Sequence, residues 1–417
     1  MGTDFKLYLK SVPNFYIIIL NTVFKGVHMI KREISESLLK LKDQVPVITI
    51  LGPRQSGKTT LVKELFPEYT YVNLEDPIAR LLAQDDYLGF FETYKEPLII
   101  DEVQRVPELL SAIQVMVDND RLKNGRFILT GSHQPSLHKG ISQSLAGRTS
   151  ILTLLPLSMN ELNQENILDE LSLDSLLIRG FMPELYRKGS REPNVYYRDY
   201  LNTYVEKDLR EMLEIRNLDN FIRFLTLLAG RVGQVVNLSS MSNEVGVSST
   251  TLSEWLSVLE ASFIVYRLKP YYTNITKQHI KSPKIYFSEV GLASFLLGIE
   301  TENQASRDPL RGNLFENLIV SEFLKKQLNL NKDNNLYFLR TTKGIEIDLI
   351  LKQEGNLYPY EIKTSMTPNK SFSSNLLSFV EGEEYATNPK IIYTGKSYHK
   401  FNDVEYVNYK EIGKYNN

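Results

Sequence analysis

An α/β fold in two unequal parts is what this sequence predicts: a parallel sheet behind a glycine-rich loop, then helices, then a second α/β unit. Three observations carry that prediction. VPVITILG, residues 45–52, is a β-branched apolar run ending in glycine, and the helix former TTLVKELF follows Lys58. PLIIDEVQ, residues 97–104, is a buried strand that stops at an acid. LYFLR, EIDLILK and YPYEIKT, between residues 336 and 364, read as an antiparallel meander.

At 417 residues the chain exceeds one ordinary core and should hold two or three domains. Its 42% hydrophobic and 24% charged residues are those of a globular protein. A net charge of -2 gives no global pull toward nucleic acid or membrane, so such binding would need a local patch. The absence of cysteine excludes disulfides and thiolate zinc sites and suits a reducing compartment, with the cytoplasm expected. His133 and His138 have a spacing that fits no zinc helix motif. FYIIILNTVF, residues 15–24, is interrupted by Asn21 and Thr22 and is too short to span a bilayer, so no membrane partner is expected. Met29 opens the amphipathic MIKREISESLLKLKD, and residues 1–28 read as an extension from an over-long reading frame.

Strand, GPRQSGKT and helix together form the context of a P-loop. Gly52, Pro53, Arg54, Gln55, Ser56, Gly57, Lys58, Thr59 and Thr60 would cradle a nucleoside triphosphate, with backbone N–H groups on the phosphates. Lys58 would neutralise the β- and γ-phosphates, and the Thr59 hydroxyl would ligate Mg2+. Asp101 would hold Mg2+ through water and Glu102 would polarise the attacking water. RFILTGSHQPSL, residues 126–137, supplies a further strand on which Ser132 or Thr130 would sense the γ-phosphate. Arg148, before the next strand, reads either as an arginine finger, in cis or in a neighbouring subunit of a homo-oligomer, or as a surface arginine.

GPRQSGKTTL, IIDEVQRVPEL, ILTGSHQ and SLAGRTSILTLLPLS, in that order, resemble a bacterial and archaeal family of AAA-type ATPases. Its members carry a C-terminal domain of unknown function, and the resemblance spans about residues 31 to 405. It implies a RecA-like P-loop NTPase core over 29–165, ATP as the nucleotide, and functional roles for Lys58, Thr59, Asp101, Glu102 and Ser132.

A helical region is expected over 166–235, where Arg198, Lys207 and Arg210 alternate with Asp199, Glu206 and Asp208 as a solvated face. Residues 236–290 have the rhythm of a winged helix, with Leu252, Trp255, Leu256 and Leu259 as one buried stripe. Its second helix, Ser249 to Leu259, has no Lys or Arg and carries Glu254, which favours a structural or protein-binding role. Residues 267–284 hold Arg267, Lys269, Lys277, Lys281 and Lys284 with two tyrosines, and read as a nucleic-acid track or a solvated hairpin.

Residues 291–417 contain Glu316 on an amphipathic helix, Asp348 on a strand, and Glu361 and Lys363 on one face of the next strand. This set resembles the PD-(D/E)XK nuclease superfamily without its proline before the aspartate. The resemblance implies Mg2+ between Asp348 and Glu361, with Lys363 activating water and Glu316 adding a carboxylate. Three functions stay open: an ATP-driven switch of the C-terminal module acting on nucleic acid, a regulatory ATPase scaffold binding a protein with a dead nuclease fold, and an ATP-gated Mg2+-dependent DNA endonuclease.

Overall fold

The computed structural model describes residues 30–132, 135–204, 217–272, 282–341 and 344–414. The expected extension 1–28 lies outside the described residues, as do His133, Glu206, Lys207, Asp208, Arg210, Lys277 and Lys281.

Helix α1 (Ser35–Lys42) leads into β1 (Val47–Gly52), whose six residues are all buried. Then come α2 (Lys58–Leu65), β2 (Thr70–Asn73), α3 (Pro77–Asp85), α4 (Tyr87–Thr93) and β3 (Leu98–Asp101). After them α5 (Leu109–Asn119), β4 (Phe127–Ser132), α6 (Pro135–Ser144) and β5 (Thr149–Thr153) complete the first unit. The strands run parallel in the order β2-β3-β4-β1-β5. Successive residues face opposite sides, so Ile48 and Ile50 join one core with Ile99 and Ile128. Val47 and Leu51 join another with Ile100 and Leu129. Burial on both faces is why these strands read as unbroken apolar runs. Parallel register also lines up the strand ends: Gly52 pairs with Ser132, and Asn73 with Asp101.

A helical segment follows, with α7 (Met159–Gln164), α8 (Leu173–Arg179), α9 (Pro193–Tyr204) and α10 (Leu218–Ala229). Ser158 and Glu161 form a capping box that starts α7. Next are β6 (Gln234–Val235), α11 (Leu238–Val245), α12 (Ser249–Ala261), β7 (Val265–Pro270) and β8 (Lys284–Phe287). Gly246, at φ 82, ends α11 in the left-handed conformation. The stripe Leu252, Trp255, Leu256 and Leu259 is buried, and Trp255 packs against Phe221 and Phe224 of α10.

The last third holds α13 (Val290–Leu296), α14 (Glu302–Arg307), α15 (Arg311–Asn329), β9 (Leu336–Arg340), β10 (Glu346–Gln353) and β11 (Asn356–Lys363). It closes with α16 (Ser374–Gly382), β12 (Lys390–Tyr393), β13 (Tyr398–Phe401) and β14 (Val404–Asn408). Its sheet does not stop at residue 290. β7 pairs in parallel with β9, Lys269 beside Tyr337 and Pro270 beside Phe338, so the hairpin and the meander share one nine-stranded sheet. Helix α15 ties this unit to the first: Glu322 accepts the Met159 N–H at 2.6 Å, and Lys325 donates to the Leu157 carbonyl at 2.7 Å.

Candidate nucleotide site and a buried acidic cluster

The parallel topology brings the P-loop, Asp101, Glu102 and Ser132 to one edge of the first sheet. A Cβ on Gly52 would stand 2.2 Å from the Leu154 carbonyl oxygen, which explains that glycine. Gly57, at φ 95, turns the chain into α2. Lys58 is buried, its ammonium donating to the carbonyls of Gly52 at 3.0 Å and Pro53 at 2.8 Å. Burial lowers its pKa to about 8, against the raising pull of Glu102 and Asp101.

Thr59 Oγ1 donates to Asp101 Oδ2 at 2.7 Å, and Tyr71 donates its hydroxyl to the same oxygen at 2.7 Å. Thr130 donates to the other carboxylate oxygen. A hydroxyl and a carboxylate side by side at the mouth of a P-loop are a hard-oxygen pair that fits Mg2+. Glu102 has φ 58, and Gln104 Nε2 donates to it and, at 2.9 Å, to Ser132 Oγ. Gln104 Oε1 is buried and unpartnered, a free acceptor beside the expected water-polarising acid.

Two residues brace the loop from outside. Arg32 donates to the Ser56 carbonyl at 2.7 Å and to the Leu155 carbonyl at 2.6 Å, with both Glu161 oxygens 3.1 Å from its Nε. Tyr196 on α9 donates to Gln55 Oε1 at 2.7 Å.

Arg148 does not serve this site in cis. Its carbonyl accepts from Val47, the first residue of β1, whereas the phosphate loop follows the last. Five strand steps separate the two ends by roughly 16 Å. Its guanidinium is held by Asp118 at 2.9 and 2.8 Å. The cis arginine finger is therefore corrected. A residue preceding a strand parallel to β1 lies at the strand starts, away from the phosphates.

The second cluster lies in the other sheet. Lys363 Nζ is 2.5 Å from Glu361 and 3.6 Å from Asp348, and Asp348 accepts the Ile362 N–H at 2.9 Å. Glu316 is drawn aside by Tyr286, which donates to it at 2.6 Å, and by Lys284, which bridges Glu316 at 3.1 Å and Glu346 at 2.9 Å. Burial raises Glu316 to about 7, with Lys284 opposing and Asp348 adding. Burial and then Asp348 raise Glu361 to about 8. Glu361 Oε2 is buried without a hydrogen-bond partner. Among the described residues, no group of three or more His, Cys, Asp or Glu stands ready to hold a metal ion.

Of the basic stretch 267–284 the structure describes the two ends: Lys269 is exposed, and Lys284 departs from the expected exposed position. Lys284 is 2% exposed and faces inward, and Arg267 is paired with Glu260. A run of cations along a segment does not reveal which of them a neighbouring helix neutralises.

Residues 44–163 match the AAA domain, residues 170–303 a domain of unknown function, DUF8612, and residues 311–412 another, DUF4143. The uncharacterized protein Rv2008c of Mycobacterium tuberculosis is 31% identical over 347 residues, covering 82% of this chain and 76% of that protein. An uncharacterized protein of Haemophilus influenzae is 24% identical over 407 residues, covering 89% and 94%. The chain belongs to the family that joins an AAA domain to DUF4143. A Walker-type ATPase of Pyrococcus abyssi, paby2304, superposes with a TM-score of 0.42 at 16% identity, over 64% of this chain and 96% of that one.

The AAA match contains the whole nucleotide site. The acidic cluster straddles two domains: Glu316, Asp348, Glu361 and Lys363 lie in DUF4143, while Lys284 and Tyr286 come from DUF8612. Sequence reading missed Tyr71, Gln104 and Tyr286, and gave Lys284 a different role. Tyr71 and Gln104 flank recognisable motifs but touch them only through the fold. Among the described residues no helix is long and apolar enough to cross a membrane.

Proposed function

We propose that this AAA–DUF4143 protein hydrolyses Mg2+-bound ATP and uses the cycle to reposition its C-terminal module. The observation that carries this reading is the joining of Thr59 to Asp101 at 2.7 Å beside the buried Lys58. Mg2+ bound by Thr59 and Asp101 supplies Lewis-acid neutralisation of the phosphate oxygens. Lys58 exchanges its two carbonyl partners for phosphate oxygens. Glu102 accepts the proton of the attacking water as that water's oxygen bonds to the γ-phosphorus and the bond to the bridging oxygen breaks, giving ADP and phosphate. Gln104 and Ser132 orient the water.

Coupling is supported by a continuous set of contacts. Tyr196 holds Gln55 of the phosphate loop. Its neighbour Tyr197 donates to Glu289 at 3.1 Å, and Glu289 also accepts the Phe181 and Gly291 N–H groups at 3.0 Å. Glu289 follows β8, whose first residue is Lys284. A shift at Gln55 is thereby transmitted along one strand to the acidic cluster.

The order α10, β6, α11, α12, β7, β8, with β6 paired to β8, supports a winged helix. The exposed residues of α12 include Ser249, Thr250, Ser253, Glu254 and Ser257, which favours a protein-facing role over DNA reading. A second reading, a Mg2+-dependent phosphodiesterase in DUF4143, is favoured by the unpartnered Glu361 Oε2. The decisive assay measures phosphate release with Mg2+-ATP. Release is expected from the intact chain and lost in Lys58→Ala, and folded protein that neither binds nor hydrolyses nucleotide removes the reading.

A further inference from the structure

Helix α3 is built inside out. Its buried residues are the small Ala79 and Ala83, while Ile78 and Leu81 stand 80% and 59% exposed. Ile78 and Leu81 stand three residues apart on the outer face, whereas the half-buried Leu82 packs inward on the core that holds Ala79 and Ala83. Beyond the corner, Tyr87 and Leu88 of α4 are also exposed, with Phe90 turned inward. Asp86 ends one helix and caps the next, so these apolar groups share a single bend of the chain. Large aliphatic side chains left in water around a bend mark a contact surface more often than a defect.

The charge around the bend says what fits. Asp76, Asp85, Asp86 and Glu92 are exposed on it, as is Glu75, which pairs with Arg105; the cations within the segment 75–95 are the partly exposed Arg80 and the exposed Lys95. We propose that the α3–α4 corner docks a basic amphipathic helix of a partner protein, its aliphatic face on Ile78, Leu81 and Leu88 and its Lys or Arg side chains on the acidic rim. Self-pairing would set Asp85, Asp86 and Glu92 against their own copies, and a phosphate backbone meets the same repulsion. The surface adjoins the nucleotide site: Glu75 pairs with Arg105 at 3.3 Å, just past Glu102.

Fluorescence anisotropy on the full chain tests this with three labelled 18-residue peptides: a Leu/Lys amphipathic helix, its Leu/Glu counterpart, and a Leu/Lys peptide scrambled to have no apolar face. The first should bind saturably and the other two at least tenfold more weakly. Ile78→Asp with Leu81→Asp should lose at least tenfold. Asp85→Lys with Glu92→Lys, which leaves the apolar face intact, should shift preference toward the Leu/Glu peptide. Equal binding of the scrambled peptide, or undiminished binding by both variants, overturns the proposal. So does a dimer in sedimentation that the Ile78→Asp, Leu81→Asp chain no longer forms, since that assigns the surface to a second copy.

Discussion

Lys58 and Lys284 are both buried, 6% and 2% exposed, yet one lies among neutral acceptors and the other among carboxylates. Lys58 rests on two backbone carbonyls, and burial lowers its pKa to about 8. Burial pulls Lys284 down too, but Glu316, Asp348 and Glu346 outweigh it and hold the ammonium above its ordinary value. The AAA domain keeps its cation and its carboxylate apart, Asp101 being satisfied by three hydroxyls, so an incoming phosphate loses no ion pair. The acidic cluster already pairs Lys284 and Lys363 with its carboxylates. A ligand entering there must first break ion pairs.

The largest expected effect exploits that difference in function. Lys58→Ala should lower phosphate release by roughly a hundred- to a thousand-fold, the scale of removing one preorganised charge donor. Lys284→Met should leave the rate per folded molecule within a few-fold. Equal losses in the two variants would erase the contrast.

Stability should reverse the order. Lys284→Met strands the buried Glu316, a change that costs about 3–5 kcal/mol when one partner of a buried pair is removed, whereas the partly exposed Glu346 keeps Arg340 at 3.6 Å. Lys58→Met removes an ammonium that burial already disfavours and should be neutral or stabilising. Urea midpoints of both variants decide it, and a Lys58→Met chain as weak as Lys284→Met would break the comparison. Tyr71→Phe gives a smaller loss, about 1–2 kcal/mol for one hydrogen bond to a buried carboxylate. Its Mg2+ requirement should rise as Asp101 loses an orienting partner, read from the metal dependence of hydrolysis.

These contrasts also mark what a linear reading reaches. That Lys58 and Thr59 meet Asp101 could be expected because the loop and the acid each follow an apolar strand, and a parallel sheet gathers such strand ends at one edge. The pair Glu361 and Lys363 was legible from period two alone. The cis option for Arg148 could not be weighed from sequence, because its distance from the phosphates depends on which end of β5 it occupies. Lys284 looked like a surface cation since nothing in IKSPKIYF announces Glu316, 32 residues away, as its partner. The sheet shared by β7 and β9 was invisible for the same reason: strand pairing across 60-odd residues leaves no periodic trace.

The smallest effect concerns Glu289, the junction between the two regions. Its carboxylate is buried, and burial raises its pKa despite Lys325, the Gly291 and Phe181 N–H groups and Tyr197, all of which oppose the rise. An acid whose folded pKa exceeds its unfolded value binds more protons in the native state across that window. Unfolding free energy therefore falls as pH rises from the ordinary glutamate range through the folded pKa. Glu289→Gln removes that slope: as pH rises above the ordinary glutamate range, the wild-type chain should lose stability by more than the variant, measured as urea midpoints at each pH. The amide keeps one acceptor for the Phe181 and Gly291 N–H groups, so the variant should still fold. If wild type and variant show parallel pH profiles, Glu289 is ionised alike in both states and its burial carries no proton-linked cost.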